Sequence, residues 1–267
     1  MYTSEILGFF LALLVGISLG LIGSGGSILS VPILVYILKI DPVLATAYSL
    51  FIVGVTSLVG GFKKWKEDLV DFQKVLLFGI PTVVGVFMTR AFIIPIIPTI
   101  IKINDSFSFP KSLLIMVIFA IVMLVASIKM IRPIQELTQD SLPKLKYKKI
   151  IIFGLIIGII AGFVGAGGGF LIIPALLQLT KIPIKKAIGT SLFIVATQSL
   201  IGFLGDLNHG MFMDWSILIP FTGFSLIGFF LGNLFSKKIP GEKLKVTFGF
   251  LVFFMGIYIL IKELLPF

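Results

Sequence analysis

The sequence is poor in the residues on which soluble folds and most enzymes depend. It has no cysteine and one histidine, and charged residues occupy only 13% of its 267 positions, about half the share in a soluble domain. The missing thiols exclude a disulfide scaffold, a thiolate metal site and a cysteine nucleophile. Apolar residues are abundant instead, at 58%, with 27 Phe, and there are 28 Gly. This composition is that of an integral membrane protein.

Ten apolar runs predict the helical segments of the fold. They cover residues 5–22, 27–39, 43–61, 72–93, 112–131, 149–164, 169–181, 185–204, 215–235 and 244–262. The runs 27–39 and 169–181 are shorter than the roughly 17 residues that a crossing helix needs. The pattern leaves open whether 5–22/27–39 and 149–164/169–181 cross fully or form re-entrant pairs. The first run has no basic flank and no cleavage site, so we expect a mature helix rather than a signal peptide.

Basic residues predict the orientation of these segments. Seventeen of the 22 Lys and Arg residues fall in one alternate set of loops and five in the other. Because cytoplasmic loops carry the excess of positive charge, the first set is predicted to be cytoplasmic. We therefore expect a multi-pass protein of the cytoplasmic membrane with both termini on the extracytoplasmic side. The formal net charge of +10 reflects this topology and does not indicate a nucleic-acid partner.

The chain contains an internal repeat. Residues 20–60 align without gaps with residues 162–202, at an offset of 142, with 18 identities in 41 positions. The matches include four glycines, one proline and the run Ser49–Val53, which recurs as Ser191–Val195. Each copy holds an odd number of segments, so the two copies begin on opposite sides of the membrane. Repeats of this inverted kind are the architecture of secondary transporters.

The repeat sets the expected organisation of the chain. We predict an all-α integral membrane protein with about 8–10 helical segments in two inverted-topology repeats and with glycine-interrupted short helices near the midplane. The first repeat covers residues 1–132 and the second covers 149–267. Residues 133–148, which are rich in lysine and include two prolines, are predicted to be a cytoplasmic linker.

Two glycine clusters at equivalent positions of the repeat are candidates for an anion site. They read Gly23-Ser24-Gly25-Gly26-Ser27 and Gly165-Ala166-Gly167-Gly168-Gly169, and each precedes a short predicted helix. Non-helical backbone at membrane depth survives only in a protein interior or beside an aqueous cavity. The free N–H groups of the following helical turn can then hold a small oxyanion without a buried cationic side chain. The alternative is that the glycines only permit close helix packing.

The segment after each cluster carries a narrow polar stripe on an apolar helix. Its members are Ser49, Thr56 and Ser57 in the first copy and Ser191, Gln198 and Ser199 in the second. The spacing of positions 49 and 56 places them on one helical face. We expect these hydroxyls and the amide to form an uncharged, hydrogen-bonding wall for a substrate. The alternative is that they bond neighbouring helices together.

Charge is almost absent from the predicted membrane segments. All 12 carboxylates are expected at segment ends or in loops, so neither a proton relay nor a cation site is indicated within the membrane. Arg90 is the one basic residue well inside an apolar run, and we expect its side chain to extend to the outer interface. No catalytic residue, metal ligand or cofactor is indicated, and an enzyme is therefore not expected.

The paired glycine motifs resemble those of the sulfite exporter TauE/SafE family of membrane permeases. The resemblance is carried by Gly20–Gly26 and Gly162–Gly168, each followed by a proline and then by Ala-x-x-x-Ser-Leu, and it extends over nearly the whole chain. It implies outward transport of a small sulfur-containing anion, such as sulfite or an organosulfonate. The substrate-binding residues that it implies here are Gly25, Gly26, Ser27, Ser49, Gly167, Gly168, Gly169 and Ser191, beside which Thr56 and Gln198 continue the polar stripe.

The expected function is that of a carrier in which one repeat rocks against the other around a midplane site. Its expected partners are a small anionic substrate and the lipid bilayer, and self-association into a homo-oligomer is left open. Two alternatives remain at the level of sequence. One is an anion channel, and the other is a membrane assembly protein that transports nothing.

Overall fold

A computed structural model describes residues 2–104, 107–131, 147–180, 182–208, 213–236 and 241–265, which are almost wholly helical. The helices are α1 (Tyr2–Ile22), α2 (Ser30–Pro32), α3 (Pro42–Lys66), α4 (Phe72–Met88), α5 (Ile94–Ile96), α6 (Lys111–Ile131), α7 (Tyr147–Val164), α8 (Gly169–Thr180), α9 (Ile184–Leu207), α10 (Trp215–Ser236) and α11 (Gly241–Leu264). The predicted all-α membrane fold is confirmed.

Within the described ranges, seven helices are long and apolar enough to cross a membrane. They include α4 and α5 as one helix, because the π-helical turn Thr89–Ile93 joins the two. Three shorter apolar helices accompany them, at Ile6–Ile22, Ser27–Ile37 and Gly169–Thr180. Large apolar side chains such as Leu76 and Ile219 are exposed on the outside of the bundle. These outer faces suit contact with lipid rather than with water.

Acidic residues begin two of the spanning helices. The Asp41 carboxylate accepts hydrogen bonds from the backbone N–H groups of Val43 and Leu44, and Pro42 occupies the first helical position of α3. The Asp71 carboxylate accepts from the N–H of Lys74 at the start of α4. Each cap satisfies backbone donors that the helix itself leaves free and contributes about 1 kcal/mol. An aspartate followed by proline is typical of a helix start, and α3 begins at such a pair.

The structure departs from the predicted segments at several places, of which three follow. The short segment 27–39 is not a regular helix: a 3-10 helix covers Gly23–Leu29 and a π-helical turn covers Ile33–Ile37, with α2 between them. Between the predicted runs 72–93 and 112–131, β1 (Ile100–Asn104) and β2 (Phe107–Pro110) form an antiparallel ribbon, in keeping with the β-branched isoleucines of β1. Finally, α9 runs on to Leu207, beyond the predicted end at 204.

The predicted linker at 133–148 lies outside the described residues, except for its last two positions, which belong to α7. The proposed boundaries of the two repeats, 1–132 and 149–267, therefore stay a prediction.

Glycines set the spacing of two helix pairs, α1 with α10 and α4 with α7. A Cβ atom placed on Gly85 of α4 would lie 2.6 Å from the carbonyl oxygen of Leu155. A Cβ atom on Gly158 of α7 would lie 2.8 Å from the Cα atom of Thr82. On the other pair, Gly16 and Gly228 meet the backbone of the facing helix in the same way. These helices pack backbone against backbone, which only small residues allow.

We expect Gly158→Ala to destabilise the protein by about 2 kcal/mol, because the added methyl group would overlap the backbone of α4 and force the two helices apart. The midpoint of thermal unfolding in detergent would measure the effect. Gly223→Ala is the matched control, since a Cβ atom at Gly223 meets nothing within 4 Å. Equal melting midpoints for the two variants would contradict the packing role of Gly158.

Candidate functional site

The candidate site lies where α3 and α9 cross. The two helices pack antiparallel: Gly54 of α3 lies against Leu200, and Gly61, two turns later, lies against Phe193. Thr56 of α3 therefore lies level with Gln198 of α9, near the middle of both helices. These two residues occupy equivalent positions in the sequence repeat, because their numbers differ by 142.

Four polar side-chain atoms at this crossing are buried without a hydrogen-bond partner. The atoms are Thr56 Oγ1, Ser57 Oγ, Gln198 Oε1 and Ser199 Oγ. Each side chain is at most 1% exposed. A buried polar atom without a partner costs roughly 1–3 kcal/mol, and native proteins tolerate few of them. We call these residues the central polar cluster; a cluster of this kind is suited to a polar ligand that supplies the missing hydrogen bonds.

The second glycine motif forms a tight loop against this cluster. Gly165, Gly167 and Gly168 all have positive φ angles, of 69°, 66° and 61°, which glycine adopts without the steric cost that other residues meet. A Cβ atom on Gly167 would lie 2.9 Å from Ser199 Oγ. The amide nitrogen of Gln198 donates a hydrogen bond to the carbonyl oxygen of Gly167. The loop thus brings its backbone to the polar face of α9; the substrate-binding role of Gly167 and Gln198 stays a prediction.

The first glycine motif has a different backbone from the second. Gly23 has a positive φ angle, of 77°, and a 3-10 helix covers Gly23–Leu29. The α-helix that follows, α2, has three residues, whereas the second motif leads into α8 with 12. The two motifs are therefore equivalent in sequence but not in local structure, and only the second precedes a regular helix.

The predicted serines of the first copy are linked through a residue that the sequence did not single out. The hydroxyl of Ser30 bonds with that of Ser49 and donates to the carbonyl oxygen of Ser27. All three residues are fully buried. The repeat places Ile172 at the position of Ser30, so a search restricted to matching residues passes over it. The one signal for Ser30 in the sequence is that it is an isolated serine before the pair Val31-Pro32.

The remaining predicted site residues lie in the second copy. Ser191 is fully buried, and its hydroxyl donates to the carbonyl oxygen of Ile188 in the same helix. Gly169 is the first residue of α8 and is buried. Gly168 places a hypothetical Cβ atom 3.5 Å from the amide nitrogen of Gln198, so Gly168 and Gln198 are neighbours. No ligand-binding role of these residues follows from their positions alone.

One expectation about charge is wrong. Arg90 does not extend to an interface: its side chain is 0% exposed. Asp206 lies at a segment end, in the last turn of α9, but it is buried inside the bundle and is 1% exposed. The Nη1 atom of Arg90 lies 3.3 Å from the Asp206 carboxylate and 3.0 Å from the hydroxyl oxygen of Thr46. The protein therefore holds a buried ion pair inside the bundle.

Over the ranges that the structure describes, no three His, Asp or Glu side chains come together in a way that could hold a metal ion. The polar groups that do converge are hydroxyls, one amide, backbone groups of a glycine loop and a guanidinium that is paired with the Asp206 carboxylate. Such groups bind an anion through hydrogen bonds.

Comparisons with known proteins agree with a transport role. The model of the sulfite exporter TauE/SafE family matches residues 8–259. A probable membrane transporter protein of Xylella fastidiosa (strain 9a5c) is 29% identical over 255 residues, covering 92% of this chain and 91% of the relative. The probable membrane transporter proteins MJ0441 of Methanocaldococcus jannaschii and YunE of Bacillus subtilis are each 24% identical, over 94% and 92% of this chain and 95% and 93% of their own lengths. No solved structure matches the chain.

Proposed function

Since the chain belongs to the sulfite exporter TauE/SafE family, we propose that it carries a small sulfur-containing anion, such as sulfite or an organosulfonate, outward across the cytoplasmic membrane. The observation that carries this proposal is the central polar cluster, in which three buried hydroxyls, those of Thr56, Ser57 and Ser199, lack partners. A sulfite or sulfonate group presents several charged oxygens that hydroxyl, amide and backbone N–H donors can satisfy. Thr56, Ser57, Gln198 and Ser199 then line the substrate together with the loop at Gly167 and Gly168.

The transport mechanism that we propose is alternating access by two inverted repeats, with both termini extracytoplasmic. Three pairs of contacts support the repeat, since each contact in one copy has a counterpart with exchanged roles. Gly23 packs on Ile188, and Gly165 packs on Thr46. Gly165 is the residue 142 positions after Gly23, and Thr46 is the residue 142 positions before Ile188. The other two pairs are Tyr48–Asp214 with Thr190–Asp71, and Gly60–Phe229 with Gly202–Val86. In these, the α3 and α9 residues differ by 142 and their partners differ by 143.

The burial of the cluster favours a carrier over an open pore. None of its four side chains is more than 1% exposed, so a substrate reaches them only after α3 and α9, or the glycine loop, move. Motions that expose the site first to one side and then to the other constitute alternating access. An anion channel would need a continuous polar path, whereas Gly54 lies against Leu200 and Gly61 lies against Phe193 on the two sides of the cluster.

The test is flux through proteoliposomes that contain the purified protein. We expect uptake of labelled sulfite or sulfoacetate, and we expect unlabelled substrate inside the vesicles to accelerate it severalfold, since a loaded carrier returns faster than an empty one. Flux without this trans-stimulation would indicate a channel. No flux for any sulfonate, sulfite, sulfate or phosphate would refute transport and favour an assembly role. Protein-free liposomes provide the background rate.

A further inference from the structure

Arg90 carries hydrogen-bonding capacity that the protein itself does not use. The residue lies in the π-helical turn Thr89–Ile93, and its side chain is wholly buried. One nitrogen, Nη1, contacts Thr46 and Asp206, whereas Nε and Nη2 have no hydrogen-bond partner. π-helical turns inside α-helices occur often at functional sites. A buried guanidinium with two free nitrogens is suited to a planar pair of anionic oxygens.

The free part of the guanidinium faces the second glycine loop. A Cβ atom placed on Gly165 would lie 2.7 Å from Nη2 of Arg90. Gly165 also has a positive φ angle, so a glycine at this position allows the loop backbone to pack directly beside the guanidinium. Two residues later, Gly167 contacts the central polar cluster. One loop therefore connects Arg90 with the proposed substrate site.

We propose that Arg90 binds an oxyanion group of the transported substrate, and that Asp206 is the counter-ion from which the substrate takes over part of the guanidinium. This inference rests on the proposed function and adds a charged residue to the site. Asp206 neutralises the buried arginine when no substrate is bound, because an unpaired buried charge is very costly. The pair uses a single nitrogen at 3.3 Å, longer than the roughly 2.7–2.9 Å of a strong charge-assisted bond. The substrate thus meets a guanidinium whose charge is neutralised by Asp206 but whose Nε and Nη2 atoms still lack hydrogen-bond acceptors.

The counterpart of Arg90 in the second copy is uncharged. Val86 lies against Gly202, and Phe229 lies against Gly60; one turn further along each helix are Arg90 and Asn233. Asn233 is 1% exposed, and neither polar atom of its side chain has a partner. The two ends of the α3–α9 crossing therefore present a charged and a neutral group at equivalent positions. We expect the anion to bind more tightly from the end that holds Arg90, which is the extracytoplasmic end in the predicted orientation.

The experiment compares wild-type protein with an Arg90→Asn/Asp206→Asn double variant. The double variant removes both charges together, so it leaves no unpaired buried charge, and it gives both ends an asparagine. We expect it to insert and purify like the wild type. We expect the KM for sulfite measured from the Arg90 end of oriented proteoliposomes to rise at least tenfold, to the value measured from the other end. Lys111→Gln is the control: it removes a nearby cation that bonds the carbonyl oxygen of Ile94, and its KM is expected to stay unchanged.

Asp206→Asn alone separates ligand exchange from a purely structural ion pair. If the substrate competes with Asp206, removing the carboxylate lowers the KM for sulfite severalfold. A KM that rises as much in Asp206→Asn as in the double variant would overturn the proposal, and so would a double variant with wild-type KM on both sides; in either case transport itself would stand.

A second readout covers the case in which wild-type flux is absent. If sulfite or sulfoacetate stabilises the wild-type protein against heat but does not stabilise the double variant, the Arg90 site binds the anion although the protein does not transport it. Absence of both flux and stabilisation would refute both.

Discussion

Thr56→Val and Ser199→Ala are expected to lower sulfite transport by about tenfold or more while leaving the protein at least as stable as the wild type. Each substitution removes a buried hydroxyl that has no partner in the protein and keeps nearly the same side-chain volume. Removing such a group costs no internal hydrogen bond and relieves a desolvation penalty, whereas a hydrogen bond to a charged substrate contributes about 1.5–3 kcal/mol. Thermal unfolding in detergent and the KM for sulfite in proteoliposomes measure the two effects separately.

The control for these variants is Thr222→Val. Thr222 is also buried in a membrane helix, but its hydroxyl donates to the carbonyl oxygen of Leu218 in the same helix. We expect transport close to that of the wild type and a small loss of stability. If Thr56→Val and Ser199→Ala also transport at the wild-type rate, the central polar cluster does not contact the substrate.

Gly168→Val is expected to abolish transport, with a loss of at least a hundredfold, in a protein that still inserts into the membrane. The φ angle of Gly168 is 61°, a conformation that costs other residues about 1–2 kcal/mol. A Cβ atom there would lie 2.7 Å from that of Ala161 and 3.5 Å from the amide nitrogen of Gln198. The valine would displace the loop from the central polar cluster. Initial rates of sulfite uptake, normalised to the amount of inserted protein, measure the loss.

The same substitution at Gly223 provides the comparison, because a Cβ atom at that position of α10 meets nothing within 4 Å. Gly223→Val is expected to transport at nearly the wild-type rate. Wild-type flux from correctly inserted Gly168→Val protein would instead show that the glycines serve only helix packing, which is the alternative that the sequence leaves open.

Features repeated in the sequence were the most predictable. Apolar runs locate the helices because burial in lipid requires them, and the repeat draws attention to Thr56 and Gln198, which the structure brings level with each other at the crossing of α3 and α9. The prediction of their role as substrate ligands awaits the transport measurements. The Asp-Pro pair at 41–42 marks the start of α3 because capping is a local interaction.

The features that the sequence did not reveal depend on tertiary contacts. Arg90 and Asp206 are 116 residues apart and form a pair only because α4 packs against α9. Read alone, an arginine near the end of an apolar run suggests an interface, and an aspartate next to a glycine suggests a loop. The 3-10 helix at Gly23–Leu29 has the same explanation, since nearly identical glycine motifs adopt two different backbones in two surroundings.

The helix pairs held together by glycines have a consequence for synthesis in the cell. α1 packs mainly against α10, and α4 packs against α7 and α9. The first half of the chain is therefore synthesised and enters the membrane well before the helices against which it packs. Contacts between such distant segments form late and slowly, and until then the glycine-lined grooves of α1 and α4 face lipid or a chaperone. We therefore expect the two halves, expressed as separate chains, to require each other for accumulation, because neither half contains the surfaces that complete its own helices.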